Sequence, residues 1–175
     1  MTSKLRIGLV GKMGSGKSTI AKYIAENIDN CYITSFAKKL KEIVNILFDY
    51  TEKNRDLLIK VGMSMRAIDK NIWINHLLTD IDNNLDKHII IDDVRFVNEL
   101  TTLRNNGWVI IKLDISREEQ ITRLKSTYPN TYQTHLQYID DETEINIKDS
   151  MCDYIIVSDK DIYVTIDNIL QNLIL

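Results

Sequence analysis

The sequence predicts an α/β fold in which a five-stranded parallel sheet carries helices on both faces. Short apolar runs alternate along the 175 residues with stretches in which apolar residues recur every three or four positions, a pattern typical of strand–helix–strand units. The runs are continuous, as expected for strands covered on both faces. A glycine-rich turn joins the first run to the first periodic stretch. We therefore expect three layers in a single domain over residues 1–175.

The predicted strands follow the apolar runs, and the predicted helices follow the periodic stretches. Five strands are expected at Leu5–Val10, Cys31–Ser35, His88–Asp93, Trp108–Leu113 and Tyr154–Val157. Helices are expected over residues 18–27 and around Leu40–Leu47, Leu57–Val61, Trp73–Ile81, Val97–Leu103, Ile121–Leu124 and Ile162–Leu173. Gly62 is expected to end the third helix. Ser116 and Glu119 form a capping box that begins the sixth.

The turn after the first strand carries the clearest chemical motif. Residues 11–18 read G-K-M-G-S-G-K-S, which fits the phosphate-binding pattern G-x-x-x-x-G-K-[ST] between a strand and a helix. Glycines let consecutive backbone N–H groups curl around a polyphosphate, and the helix N-terminus adds a positive dipole. We expect a three-layer P-loop NTPase fold that binds a nucleoside triphosphate through Gly11, Met13, Gly14, Ser15, Gly16, Lys17, Ser18 and Thr19.

Two carboxylates at the end of the third strand indicate a metal site. Asp92 and Asp93 close the run that begins at His88, and ligands bind at the carboxyl ends of strands in open α/β sheets. An aspartate at this place organises Mg²⁺ in P-loop proteins, with the Ser18 hydroxyl as a second ligand. The three histidines are scattered, and we expect them to be structural or exposed.

Composition excludes several classes of protein. The net charge of −3 provides no basic field for a nucleic-acid polymer. No apolar run approaches the about 20 residues needed to span a membrane. Because the first strand is expected to begin at Leu5, we expect no signal peptide in this sequence. The two cysteines have no metal-ligand spacing. These features favour a cytoplasmic protein, inside the host cell if it is viral.

The motifs downstream separate the classes of P-loop protein. Val94-Arg95-Phe96 follows Asp93 where a GTPase would carry D-x-x-G, and no N-K-x-D stands near the last strand. Small kinases fit the length of this chain. They also combine a helical insert that binds the acceptor with a lid that carries arginines. Residues 36–84 and 117–150 provide these two segments.

Three blocks carry a resemblance to a known family. Residues 35–42 read S-F-A-K-K-L-K-E, residues 62–66 read G-M-S-M-R with Trp73 downstream, and residues 93–99 read D-V-R-F-V-N-E. Together they resemble deoxynucleoside monophosphate kinases of the phage and large-DNA-virus type, over about the first two-thirds of the chain. Val97 replaces a proline that is common in that family.

The resemblance implies an ATP- and Mg²⁺-dependent kinase that converts deoxynucleoside monophosphates to diphosphates. It implies that Lys41, Arg66 and Arg95 hold the acceptor phosphate, that Phe36 and Trp73 flank the acceptor base, and that Glu99 braces Arg95. Asp93 would lie near Mg²⁺, with Asp92 as its competitor. Lys17, Asp93, Arg95 and Arg123 would be catalytic. Arg123 is the leading lid arginine and Arg117 the second.

Two other functions stay open at this point. The first is a small kinase with another acceptor, such as phosphomevalonate or dephospho-coenzyme A. The second is a nucleotide-binding module with little catalysis. The expected partners are small molecules rather than nucleic acid or membrane, and a homodimer is compatible with the sequence.

Overall fold

A computed structural model describes residues 4–48, 55–139, 147–158 and 161–174. Its strands are β1 (Arg6–Gly11), β2 (Cys31–Thr34), β3 (His88–Val94), β4 (Val109–Asp114) and β5 (Tyr154–Val157). Its helices are α1 (Lys17–Asn27), α2 (Lys38–Phe48), α3 (Arg55–Ile68), α4 (Ile72–Asp82), α5 (Val97–Asn105), α6 (Arg117–Thr127), α7 (Tyr132–Leu136) and α8 (Ile162–Ile174), with a 3₁₀ turn at Asp149–Met151.

The sheet has the predicted five strands, and every strand pair is parallel. The order is β2-β3-β1-β4-β5. The central strand β1 therefore lies between β3 and β4, and Val10 pairs with Val94 at the ends of β1 and β3. Because parallel strands end at the same edge, this register brings the glycine-rich loop beside the two aspartates of β3.

Apolar side chains on the two faces of the sheet form separate core clusters. Ile7 and Leu9 of β1 are fully buried with Ile24 of α1 and Ile166 of α8. On the other face, Val10 packs in a second cluster with these residues of β3, α4 and α5: Ile89, Ile91, Leu77, Leu100 and Leu103. The predicted three-layer arrangement is confirmed.

The prediction that Gly62 ends a helix is wrong. α3 continues through Gly62 to Ile68, so residues 63–66 are helical and Arg66 lies in the last turn. A Cβ at position 62 would come within 3.0 Å of Leu40 Cδ2. Gly62 thus lies inside a helix at a close approach of α2, where a larger residue would require the Leu40 side chain to shift.

The two segments that the sequence predicts to be an acceptor insert and a lid are described in part. The segment predicted as the insert is helical over α2, α3 and α4, and its residues 49–54 lie outside the described residues. The segment predicted as the lid contains α6 and α7, and its residues 140–146 lie outside the described residues. None of the helices within the described ranges has the length and apolar character to cross a bilayer.

Candidate active site

The glycine-rich loop adopts the backbone that its sequence predicts. Gly14 and Gly16 have φ angles of 80° and 91°, in the left-handed region that other residues rarely enter. A Cβ on Gly11 would lie 2.6 Å from the Leu113 carbonyl oxygen and 2.6 Å from Ser15 Oγ. The loop thus packs directly on the end of β4, and its glycines are required by geometry.

Lys17 lies under the loop at the start of α1. The residue is 8% exposed, and Nζ donates hydrogen bonds of 2.5 Å to the Gly11 carbonyl and 2.9 Å to the Lys12 carbonyl. The ammonium group therefore lies against the loop that would enclose a polyphosphate. Phosphate oxygens near the loop could replace these carbonyls as its acceptors.

The two aspartates of β3 make different contacts. Ser18 Oγ donates a 2.7 Å hydrogen bond to Asp92 Oδ2. Both oxygens of Asp93 instead accept backbone N–H groups, from Phe36 at 2.8 Å and from Ala37 at 3.0 Å. Adjacent side chains of a strand point to opposite faces, so only one carboxylate can reach Ser18.

Asp93 is partly buried and hydrogen-bonded to the turn that precedes α2. Burial raises the pKa of Asp93 above its ordinary value, and the N–H of Ala37 partly offsets that rise. Its two backbone hydrogen bonds fix the turn between β2 and α2. This turn carries Phe36 into the site.

A cavity of about 830 Å³ lies over the loop and the ends of β1 and β3. Its lining includes every residue that the sequence predicted for acceptor binding: Phe36, Lys41, Arg66, Trp73, Arg95 and Glu99. It also includes Lys17, Ser18, Asp92, Asp93 and Arg123. The fold therefore brings the predicted donor and acceptor residues to one cavity.

Glu99 contacts three groups at the acceptor end of this cavity. Its Oε1 lies 3.0 Å from Arg66 Nη2, and its Oε2 accepts the backbone N–H groups of Arg95 at 3.0 Å and Phe96 at 3.1 Å. The Arg66 guanidinium lies 4.0 Å from the centre of the Phe96 ring. The described contact between Glu99 and Arg95 thus involves the backbone, and the guanidinium partner of Glu99 is Arg66.

The side chain of Glu99 is 2% exposed. Burial raises its pKa from 4.5 to about 7, with Asp93 adding to the rise, while the Arg95 N–H and the Arg66 charge oppose it. The protonation state of Glu99 therefore changes near neutral pH, although glutamate ordinarily ionises far below it.

The two aromatic residues predicted to flank a base are largely buried. Trp73 is 4% exposed and packs with Leu40 and Val44, and its Nε1 donates to the Gly62 carbonyl at 3.3 Å. Phe36 is 3% exposed and belongs to the second core cluster, the one that contains Val10. Each also lines the cavity, so stacking on a ligand stays a prediction.

Arg123 lies on α6 against the glycine-rich loop. Its Nε is 2.7 Å from Glu119 Oε1. Nη1 donates to Ser158 Oγ at 2.7 Å and to the Gly14 carbonyl at 3.4 Å, and Nη2 donates to the Ser158 carbonyl at 2.6 Å. Arg117, the second lid candidate, is exposed and is outside the lining of the cavity in the described part of the chain.

Sequence reasoning missed several residues of the site. Arg55 lines the cavity, with Nη1 2.9 Å from Met13 Sδ and its guanidinium 5.2 Å from the centre of the Tyr138 ring. Tyr128 and His135 also line it, with ring centres 4.2 Å apart. No motif contains these residues, and the tyrosine-rich composition of the lid was the only signal.

Comparison with known proteins shows the family and the fold of this chain. Residues 7–146 match the AAA domain family, and the chain belongs to that family. Similar solved structures include shikimate kinase from Acinetobacter baumannii in complex with shikimate, at 16% identity over 97% of this chain and 95% of that one, with a TM-score of 0.58. A gluconokinase from Sinorhizobium meliloti 1021 is 16% identical over 99% of this chain and 93% of that one, with a TM-score of 0.53.

A third similar structure, an uncharacterized protein from Eubacterium ventriosum, gives 16% identity over 97% of this chain and 98% of that one, with a TM-score of 0.59. No protein of curated function matches the sequence. At these identities the likeness establishes the fold, which this chain shares with small P-loop kinases.

Proposed function

We propose that this member of the AAA domain family transfers the γ-phosphoryl group of ATP to the phosphate of a deoxynucleoside 5′-monophosphate. The observation that carries the proposal is the meeting of two sets of groups in one cavity. Lys17 and the glycine-rich loop form the first set, and Lys41, Arg66 and Arg95 from three separate elements form the second. The resemblance of residues 93–99 to deoxynucleoside monophosphate kinases supports the choice of acceptor.

The donor binds at the loop in this proposal. Backbone N–H groups of Gly14 and Gly16 face its phosphates, and Lys17 neutralises their charge. Both glycines and Lys17 line the cavity, which supports this placement.

Magnesium would be held by Ser18 and Asp92. Their oxygens lie 2.7 Å apart, and Mg²⁺ is commonly bound by one or two protein oxygens together with substrate phosphates and water. We favour Asp92 over Asp93 because Asp93 already accepts two backbone N–H groups. The ion would neutralise charge on the donor phosphates.

The acceptor would bind between α2, α3 and the turn after β3. Its phosphate is largely dianionic near neutral pH, which fits the cations Lys41 and Arg95 at that end of the cavity. Arg66 is oriented by Glu99 and by the Phe96 ring. Phe36 and Trp73 would form the apolar wall against the base.

The reaction then needs little covalent help from the protein. An acceptor phosphate oxygen attacks the γ-phosphorus of ATP, the new P–O bond forms as the bond to the β-phosphate oxygen breaks, and ADP leaves. A dianionic phosphate needs no strong base, and the main obstacle is repulsion between the two anions. Lys17 and Arg95 offset that repulsion and hold the groups in line.

A second candidate is phosphorylation of another small acceptor. The likeness of the fold to proteins named shikimate kinase and gluconokinase favours it. It would use the same donor site and differ only at the acceptor end. A nucleotide-binding module without catalysis is the third possibility.

An acceptor panel tests the proposal directly. Purified protein, ATP and Mg²⁺ would be mixed with each common deoxy- and ribonucleoside monophosphate, and with phosphomevalonate, dephospho-coenzyme A, shikimate and gluconate. ADP release is measured in a coupled assay, and the phosphorylated product is identified by chromatography. The Lys17→Ala variant, prepared in parallel, controls for contaminating kinases.

We expect conversion of at least one deoxynucleoside monophosphate to its diphosphate. Turnover of shikimate, gluconate or another non-nucleotide alone would replace the first proposal by the second. Binding of ATP without ADP release on any acceptor would support the non-catalytic module.

A further inference from the structure

The outer face of the glycine-rich loop is held by side chains from outside the motif. The Met13 carbonyl accepts a 2.8 Å hydrogen bond from Gln120 Nε2. The Ser15 carbonyl accepts a 2.7 Å bond from Ser158 Oγ, and the Gly14 carbonyl lies 3.4 Å from Arg123 Nη1. Three consecutive loop carbonyls therefore have donors from α6 or from the residue that follows β5.

These contacts determine where the N–H groups of the loop point. A planar trans peptide has its C=O and N–H on opposite sides. The Met13 carbonyl shares a peptide with the N–H of Gly14, and the Ser15 carbonyl shares one with the N–H of Gly16. Holding both carbonyls on the outer face directs both N–H groups toward the inner face, where Gly14 and Gly16 line the cavity.

The two principal donors are deeply buried. Gln120 is 1% exposed and Ser158 is 6% exposed. Because Ser158 Oγ also accepts a 2.7 Å bond from Arg123 Nη1, its own proton is available for the Ser15 carbonyl. Buried polar groups are nearly always hydrogen-bonded, so each donor fixes one peptide of the loop in one orientation.

We propose that Gln120 and Ser158 are positioning residues that preorganise the loop for a triphosphate. Neither residue is in the phosphate-binding motif, and neither lines the cavity within the described residues, so each acts through the peptide that it holds. A loop whose N–H groups already face inward loses less conformational entropy when phosphates bind. This inference rests on the proposed function for its ligand, the triphosphate of the donor.

Calorimetric titration with inorganic tripolyphosphate, and separately with ATP, tests the inference. Gln120→Met keeps the length of the side chain and removes its donor, and Ser158→Ala removes a single oxygen. We expect each variant to bind tripolyphosphate about five- to tenfold more weakly than the wild type. Gln171→Met, an exposed position on α8, is the matched control and should bind as the wild type does.

Thermal unfolding and steady-state kinetics separate positioning from general stability. The variants should be folded at the assay temperature, with KM for ATP raised and KM for the acceptor within about twofold of the wild type. Should Gln120→Met fail to fold, the smaller change Ser158→Ala decides the question.

Folded variants that bind tripolyphosphate with wild-type affinity would overturn the inference. A wild-type protein that does not bind tripolyphosphate at all would overturn it too. Inactivity toward the whole acceptor panel would leave these titrations readable, because they measure binding at the loop alone. The two proposals can therefore fail separately.

Discussion

Ser18 Oγ donates a 2.7 Å hydrogen bond to Oδ2 of Asp92, joining the first turn of α1 to the carboxyl half of β3. These oxygens come from residues 74 positions apart, and the parallel pairing of β1 with β3 places them together. An oxygen pair of this kind beside a phosphate-binding loop is suited to Mg²⁺.

The first prediction separates the two aspartates. Asp92→Asn should lower kcat about 100-fold or more and raise the Mg²⁺ concentration needed for half-maximal activity, because a metal ligand is weakened. Asp93→Asn should chiefly raise KM for the acceptor, because it loosens the turn that carries Phe36. Magnesium titrations of both variants check this, with exposed Asp82→Asn as the control. The reverse pattern would return the metal to Asp93.

Lys17→Ala should lower kcat at least about 100-fold, because the charge that opposes the donor phosphates is lost. The fold should survive, since the described contacts of its ammonium group are with carbonyls of the loop. Steady-state kinetics and circular dichroism measure the two effects. Lys22→Ala, on the exposed face of the same helix, should behave as the wild type. Near-normal turnover of Lys17→Ala would remove the proposed role of this lysine.

Arg95→Ala should affect the acceptor far more than ATP. We expect KM for the acceptor to rise at least about tenfold and kcat to fall, while the Kd for ATP stays within about twofold. Arg104→Ala is a suitable control, because Arg104 lies on α5 and bonds the Met151 carbonyl. Unchanged KM and kcat for the acceptor would contradict the assignment.

The raised pKa of Glu99 predicts that the free energy of unfolding of the protein depends on pH. This pKa is raised from 4.5 to about 7 in the folded protein. Between pH 4.5 and about 7, the folded protein therefore keeps a proton on Glu99 that the unfolded chain releases. The contribution of this proton to the free energy of unfolding is fully present below pH 4.5 and is lost as pH rises through about 7. The free energy of unfolding of the wild type should therefore fall relative to Glu99→Gln over this window, by up to about 3 kcal/mol.

Urea unfolding of both proteins at several pH values between about 4 and 8 measures this difference. Subtracting the two curves leaves the titration of Glu99 together with its coupling to Asp93, because the amide side chain of the variant does not ionise and the uncoupled groups titrate alike in both proteins. A difference that is constant across the window would show that Glu99 does not carry the shift.

Arg123 is predicted from the sequence to act on kcat from a lid. Its guanidinium bonds the Gly14 carbonyl and Ser158, so Arg123→Ala should raise KM for ATP as well as lower kcat, by about tenfold in each. ATP titrations and steady-state kinetics check both. Loss of thermal stability with unchanged kinetics would make Arg123 a structural residue of α6.

Much of the fold and part of the site could be predicted because their signals are local. The loop, Lys17 and Ser18 occupy one continuous stretch, and strand and helix periods are visible within about ten residues. Ser116 caps α6, accepting the N–H of Glu119 at 3.2 Å, whereas the Glu119 carboxylate, which would complete the predicted capping box, pairs with Arg123. The acceptor residues were placed by resemblance to a family, and the structure brings them to one cavity.

Other features depended on distances that no local pattern contains. The local sequence predicts that Gly62 ends a helix, yet this glycine lies within α3, close to the side chain of Leu40 from α2. The choice between Asp92 and Asp93 depended on which face of β3 meets α1. Arg55 reaches Met13 from a helix that begins 42 residues later.

The phosphate-binding loop and the alternation of strands and helices could be predicted because each follows from neighbouring residues, whereas the acceptor cations were placed by resemblance to a family. Three other features depend on the folded chain: the contact of Ser18 with Asp92, the pairing of Glu99 with Arg66, and the hydrogen bonds of Gln120 and Ser158 to the loop. Those contacts join residues 33 to 143 positions apart. They are fixed by strand order, register and helix packing, and those are properties of the whole folded chain.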